Sequence, residues 1–139
     1  MRLVLDANEY IFAFALFKKH PCETLLKTII DTFPKHAFCI CRTIIEEVRA
    51  NLTPQEFHDF IRLINIFSAI DEDIFISFHI GAKYEAMDLK PADAFIAAYT
   101  EWIKADALVT ENRHFLSRQT TLPFKVLNAE GCLKILGKL

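Results

Sequence analysis

The sequence predicts an α/β fold of three layers, with a central, mainly parallel sheet between helices, on three observations. Its apolar runs are short and nearly uniform: Leu3-Val4-Leu5, Ala37 to Cys41, Ala107 to Thr110 and Phe124 to Leu127. Strands without polar alternation are strands buried on both faces. Longer amphipathic stretches separate these runs, the spacing that parallel strands need for their crossovers. The chain has 139 residues, 53% of them hydrophobic, without internal repeat or Gly/Ser linker. It is therefore expected to form one domain over 1–139 around a sizeable core.

The elements follow in order. Leu3-Val4-Leu5 is a buried strand ending at Asp6, and Glu9 to Lys18, rich in Phe and Ile, is a helix. Pro21 suits the first turn of a helix to about Phe33 that buries Leu25, Leu26, Ile29 and Ile30. Ala37 to Cys41 is the second strand. Thr43 to Leu52 is a short helix that Thr43 caps, with Glu46 three residues on as a capping box requires. Thr53-Pro54 opens the next helix, to about Ala69, with Thr as cap and Pro at the first helical position. Asp71-Glu72-Asp73 is a turn before a short extended piece, Ile74-Phe75-Ile76. Pro91 to Lys104 is a strong helix, Ala107 to Thr110 a strand, and Arg113 to Ser117 a short helix. Phe124 to Leu127 and Ala129 to Leu136 close the chain as strand and helix.

Composition excludes several activities. With 16 Lys+Arg against 18 Asp+Glu, the net charge of −2 gives no global positive field for a polyanion. Three glycines leave no material for a phosphate-cradling loop. Of four cysteines, Cys39 and Cys41 share one face of a strand, but no second pair completes a zinc knuckle. They are expected as small buried hydrophobes of a cytoplasmic protein in a reducing compartment. No window approaches the ~20 apolar residues of a membrane span. The start, Met1 to Asp6, meets an acid too soon for a signal peptide.

Parallel sheets bind ligands at the carboxyl ends of their strands. Asp6 ends the first strand, and Thr110, Glu111 and Asn112 follow the Ala107 strand. Glu46 and Glu47 lie early in the helix after the second strand, and Asp93 lies in the first turn of the Pro91 helix. Each acid alone has a plain explanation as a helix cap or a helix-end charge. Asp6 is the hardest to explain so, because an acid ending an apolar strand loses its hydration. Three carboxylates at one edge repel each other and call for a hard cation, Mg²⁺ or Mn²⁺, with positions left for substrate oxygens. Between Glu46 and Glu47, the helical stripe of Ile44, Ile45, Val48 and Leu52 favours Glu47, which sits at its edge.

These residues resemble the PIN-domain family, which includes the VapC-like toxins of toxin–antitoxin pairs. The resemblance spans essentially the whole chain. It is carried by Leu3-Val4-Leu5-Asp6-Ala7-Asn8, Ile44-Ile45-Glu46-Glu47-Val48, Pro91-Ala92-Asp93-Ala94-Phe95-Ile96-Ala97-Ala98, and Ala105 to Leu116. The last two segments, in this order and spacing, are its most specific part. It implies a metal-dependent endoribonuclease whose catalytic positions match Asp6, Glu47, Asp93 and Asn112, the first three as metal ligands. Many members carry Asp where Asn112 stands, so the site has one negative charge fewer. Asn8 matches a polar position that supports the first Asp, and Thr110 stands beside the fourth position. His114 falls where some relatives have an acid.

In the implied mechanism the three carboxylates hold one or two ions that polarise a phosphodiester and acidify a water for in-line attack. Asn112 and Thr110 orient metal-bound waters or substrate. Lys90 and Arg113 are the first candidates to hold RNA, followed by Lys83, Lys18 and Lys19. An antitoxin or a second copy of the chain is an expected partner. Phe12, Phe14, Phe17 and the Phe57–Phe67 helix offer the apolar surface, although core burial accounts for most of them equally well. Two rivals stand beside this: a catalytically weakened PIN-fold binding module, and a phospho-accepting receiver domain. The receiver lacks both an acidic neighbour for Asp6 and a Lys ending the last strand.

Overall fold

Five parallel strands form one sheet in the order β3-β2-β1-β4-β5. They are β1 (Arg2–Leu5), β2 (Ala37–Cys41), β3 (Ser68–Asp71), β4 (Ala107–Val109) and β5 (Lys125–Leu127). The computed structural model describes residues 1–72, 76–117 and 122–137. Leu3, Val4 and Leu5 point alternately to opposite faces, and none keeps any exposure, so both faces of β1 are covered. The α/β class expected from the sequence is the one observed.

The helices are α1 (Ala7–Phe14), α2 (His20–Thr32), α3 (Arg42–Asn51), α4 (Pro54–Phe67), α5 (Phe78–Glu85), α6 (Pro91–Trp102), α7 (Arg113–Leu116) and α8 (Ala129–Ile135). Here α1 packs on α2, α3 and α4, and α2 packs on α8; α6 packs on α5 and β4. Right-handed crossovers explain this division. The path β1 to β2 to β3 crosses the sheet one way, and the return to β4 and β5 places its helices on the other face. The edge-on pair Tyr10–Phe60, with ring centres 5.0 Å apart, locks α1 to α4.

Several boundaries differ from expectation for visible reasons. Helix α1 starts at Ala7, not Glu9, because Asp6 is its cap, and it ends at Phe14. Helix α3 starts at Arg42: Cys41 both ends β2 and caps α3, so no loop intervenes and Thr43 already lies in the first turn. The expected Thr43–Glu46 capping box therefore does not form. A capping box does form at Thr53–Glu56, through Glu56 N–H to Thr53 Oγ1 (3.2 Å) and Thr53 N–H to Glu56 Oε1 (2.8 Å). Helix α4 stops at Phe67, and Ser68–Asp71 becomes the edge strand β3 instead of a helix end and a turn. An edge strand with Ala69 and Ile70 exposed lacks the apolar signature of a buried one. Helix α5 was not anticipated; it buries only Tyr84, which leaves a weak amphipathic pattern. Of the expected extended piece, Ile74 and Phe75 lie outside the described residues, and Ile76 is in no strand.

Candidate metal centre at the sheet edge

From β1 the chain moves to β2 on one side, and it returns to β4 on the other. This reversal is the switch point at which open parallel sheets bind ligands, beyond the carboxyl ends of the strands. Asp6 follows β1 and Thr110 follows β4, and the backbone ladder continues through both. Asp6 N–H donates to Val109 O and Thr110 N–H to Leu127 O, each at 2.8 Å.

A chain of hydrogen bonds fixes the side chains here. Asp6 is 5% exposed; its Oδ1 accepts from Ala7 N–H at 2.8 Å and its Oδ2 from the Thr110 hydroxyl at 2.7 Å. Thr110 Oγ1 in turn accepts from Asn112 N–H at 3.0 Å. Asn112 uses both ends of its amide. Its Oδ1 accepts from His114 N–H at 2.9 Å and caps α7, and its Nδ2 donates to Asp93 Oδ2 at 3.3 Å. The polar bonds of Thr110 and Asn112 therefore run to carboxylates and backbone. Asn8 departs from expectation: its Oδ1 accepts from Glu111 N–H at 3.4 Å, which ties α1 to the turn after β4.

Glu47 completes the edge. It is half-buried on α3, whereas Glu46 is exposed, as the helical stripe requires. Burial first, then the charges of Asp6 and Asp93, push its carboxyl up to about 7. Burial also raises Asp6, opposed by its bonds from Thr110 and Ala7, and Asp93 adds to the rise. Asp6, Glu47 and Asp93 thus lie close enough to repel one another. Among the described residues no ion pair reaches any of them. All three offer the oxygen donors that a hard divalent cation takes, although their oxygens do not all come within 4.8 Å of one another.

The basic residues separate into two groups. Lys90, the cap of α6, and Arg113, the first residue of α7, are exposed and flank Asp93 and Asn112 along the chain. Lys83 pairs with Glu101, Lys18 with Glu23 at 3.4 Å, and Lys19 lies over the Phe12 ring at 4.1 Å. These three already have structural partners. A hollow of about 510 Å³ lined by Ile80, Trp102, Ala105 and Phe124 lies at the amino end of β4, away from the acids.

A second group was not foreseen from the sequence. Ligand atoms of Glu9, Cys22 and Glu111 lie within 4.8 Å of one another, an arrangement able to hold a metal ion. Burial first, then the neighbouring Glu111 carboxyl, raises Glu9 well above the usual carboxylate range. The available signal was a carboxylate at position 9 leading an apolar run, Tyr10 to Phe17. Its partners on other elements were invisible.

Two solved structures share the fold. One is VapBC2 from Rickettsia felis bound to a DNA fragment from their promoter: TM-score 0.64 and 15% identity over 92% of this chain and 98% of the other. FitAcB from Neisseria gonorrhoeae gives a TM-score of 0.61 and 15% identity over the same shares. No protein-family model and no curated protein sequence matches the chain. Among the described residues no helix is long and apolar enough to cross a membrane.

Proposed function

We propose that the chain is a single PIN-type domain that cleaves RNA internally with Mg²⁺ or Mn²⁺, as the toxin of a toxin–antitoxin pair. The observation that carries this is the gathering of Asp6, Glu47 and Asp93 at the switch point, where burial first and then the charges of Asp6 and Asp93 push the Glu47 carboxyl up to about 7. The PIN-like segments of the sequence support the same reading, and so does the likeness in fold to chains of the VapBC2 and FitAcB structures.

In this reading Asp6, Glu47 and Asp93 hold the cation. When bound, a divalent cation supplies Lewis acidity to a phosphodiester and lowers the pKa of a coordinated water. Thr110 opposes the burial that raises Asp6 and fixes its rotation through the 2.7 Å bond. Asn112 fixes Asp93 through its 3.3 Å bond, and it is a neutral donor where a fourth acid would add repulsion. Lys90 and Arg113 meet the RNA phosphates on either side. Leu16 and Phe17, both more than 80% exposed between α1 and α2, form the apolar surface for an antitoxin or a second copy. Phe14 and Phe57 instead stack on Phe60.

The test is cleavage of a structured RNA by the purified chain with Mg²⁺, with Mn²⁺, and with EDTA. Metal-dependent cleavage that Asp6→Asn loses supports the reading. RNA binding without cleavage under every metal condition would replace it with the binding-module alternative.

A further inference from the structure

Three elements bring ligand-bearing side chains to a buried point that the sheet-edge centre does not use. Glu9 stands on α1, Cys22 on α2 and Glu111 on the turn after β4, and one donor atom of each lies within 4.8 Å of the other two. Glu9 and Cys22 have no exposure. Both oxygens of the Glu9 carboxylate are buried without a hydrogen-bond partner. Glu111 is held in place, because its Oε2 accepts the Ala129 N–H at 3.0 Å. That is the outer contact by which proteins orient a metal-binding carboxylate.

An unpartnered buried carboxylate is costly, and one facing a second carboxyl more so. A proton or a cation relieves the conflict. A shared proton would serve the two carboxyls and leave the Cys22 thiol to hydrogen-bond Glu9, whereas a cation takes all three as ligands. We propose that Glu9, Cys22 and Glu111 form a buried Zn²⁺ site in which Cys22 binds as thiolate, joining α1, α2 and the end of β4. Binding forms Zn–S and Zn–O bonds and releases to solvent the Cys22 proton and the proton otherwise shared by Glu9 and Glu111. A thiolate with carboxylates selects Zn²⁺ over Mg²⁺, which takes oxygen ligands. Its place between three elements lets the ion brace the turn carrying Thr110 and Asn112, and through them Asp6 and Asp93, with the fourth position left to water. The proposal does not rest on the ribonuclease reading.

Chelator-treated chain titrated with Co²⁺, the visible substitute for Zn²⁺, tests it. The expected result is a sulfur-to-cobalt charge-transfer band from one equivalent, separate from Co²⁺ taken by the sheet-edge carboxylates; the band is lost in Cys22→Ser and kept in Asp6→Asn and Cys132→Ser. In the Asp6→Asn background, where the sheet-edge carboxylates are disabled, Zn²⁺ should raise the Tm by about 5 °C or more at saturation, and by far less once Glu9→Gln is added. The Tm of each variant without metal shows whether it folds. Absence of the band in the wild type, a band that survives Cys22→Ser, or one that disappears in Cys132→Ser instead, would overturn the site. An equal Zn²⁺ shift in Asp6→Asn with and without Glu9→Gln would do so too, and would leave Glu9 sharing a proton with Glu111. None of these outcomes bears on RNA cleavage.

Discussion

Asp6 and Glu9 stand three residues apart at the start of α1, both buried, yet their surroundings are opposite. Asp6 has two protein donors, Ala7 N–H and the Thr110 hydroxyl, and its acidic neighbours Glu47 and Asp93 are half-exposed. Glu9 has no donor, and it faces a thiol and a carboxyl in the interior. Burial alone therefore does not decide what a carboxylate can do. The donors on the protein side oppose the burial that raises Asp6 and aim its carboxylate, and its acidic neighbours keep a side open. A buried group of mixed donors can hold an ion without such an opening.

The largest effect that would sharpen this contrast is at Asp6. Asp6→Asn is expected to lower metal-dependent RNA cleavage by at least about 100-fold, more than loss of an outer-shell partner costs. Its Tm should be unchanged or higher, since the change relieves repulsion; wild-type cleavage rates would break the comparison. Glu47→Gln should follow closely while Glu46→Gln leaves the rate nearly intact, and equal losses would show that the wrong face of α3 had been chosen. Next comes Thr110→Val, expected to lose roughly 10- to 100-fold while Thr110→Ser stays near wild type, in the same cleavage assay.

The effect of pH is subtler. With its folded pKa raised from 4.5 to about 7, Glu47 binds more protons in the folded than in the unfolded metal-free chain between those values. Its contribution to stability is thus fully present below pH 4.5 and is lost as pH rises through about 7. Glu47→Gln should flatten that part of a Tm-against-pH curve, and Mg²⁺ should restore stability above pH 7, where the carboxylate is charged. A wild-type curve that the substitution does not alter would count against the crowding. The smallest effect belongs to Lys90→Ala and Arg113→Ala. Each should weaken RNA binding and reduce the salt slope by about 1, with the cleavage rate at saturating RNA largely kept.

Much of this was legible because local physics dictated it. Leu3-Val4-Leu5 ending in an acid, Pro21, Thr53-Pro54 and Pro91 each mark a boundary through burial or a fixed φ, and the structure starts or ends elements within a residue or two of them. That Glu47 is half-buried where Glu46 is exposed followed from helical phase, which needs no tertiary knowledge. Three features depended on partners remote in sequence. Strand β3 exists because β2 offers it a free edge, Asn8 turns to the Glu111 amide rather than to Asp6, and Glu9 meets Cys22 and Glu111 only once α1, α2 and the turn after β4 are assembled. Thr43 misled because a good capping residue counts for nothing where strand and helix join without a gap.

That gapless junction between Cys41 and Arg42 makes α3 a ruler. Each residue added or removed between the strand end and Glu47 would swing the carboxylate by about 100° around the helix axis and shift it ~1.5 Å along it. One inserted alanine would aim the group away from its companions while leaving the sheet untouched. The length of this connection is therefore as much a part of the chemistry as the identity of the acid it carries.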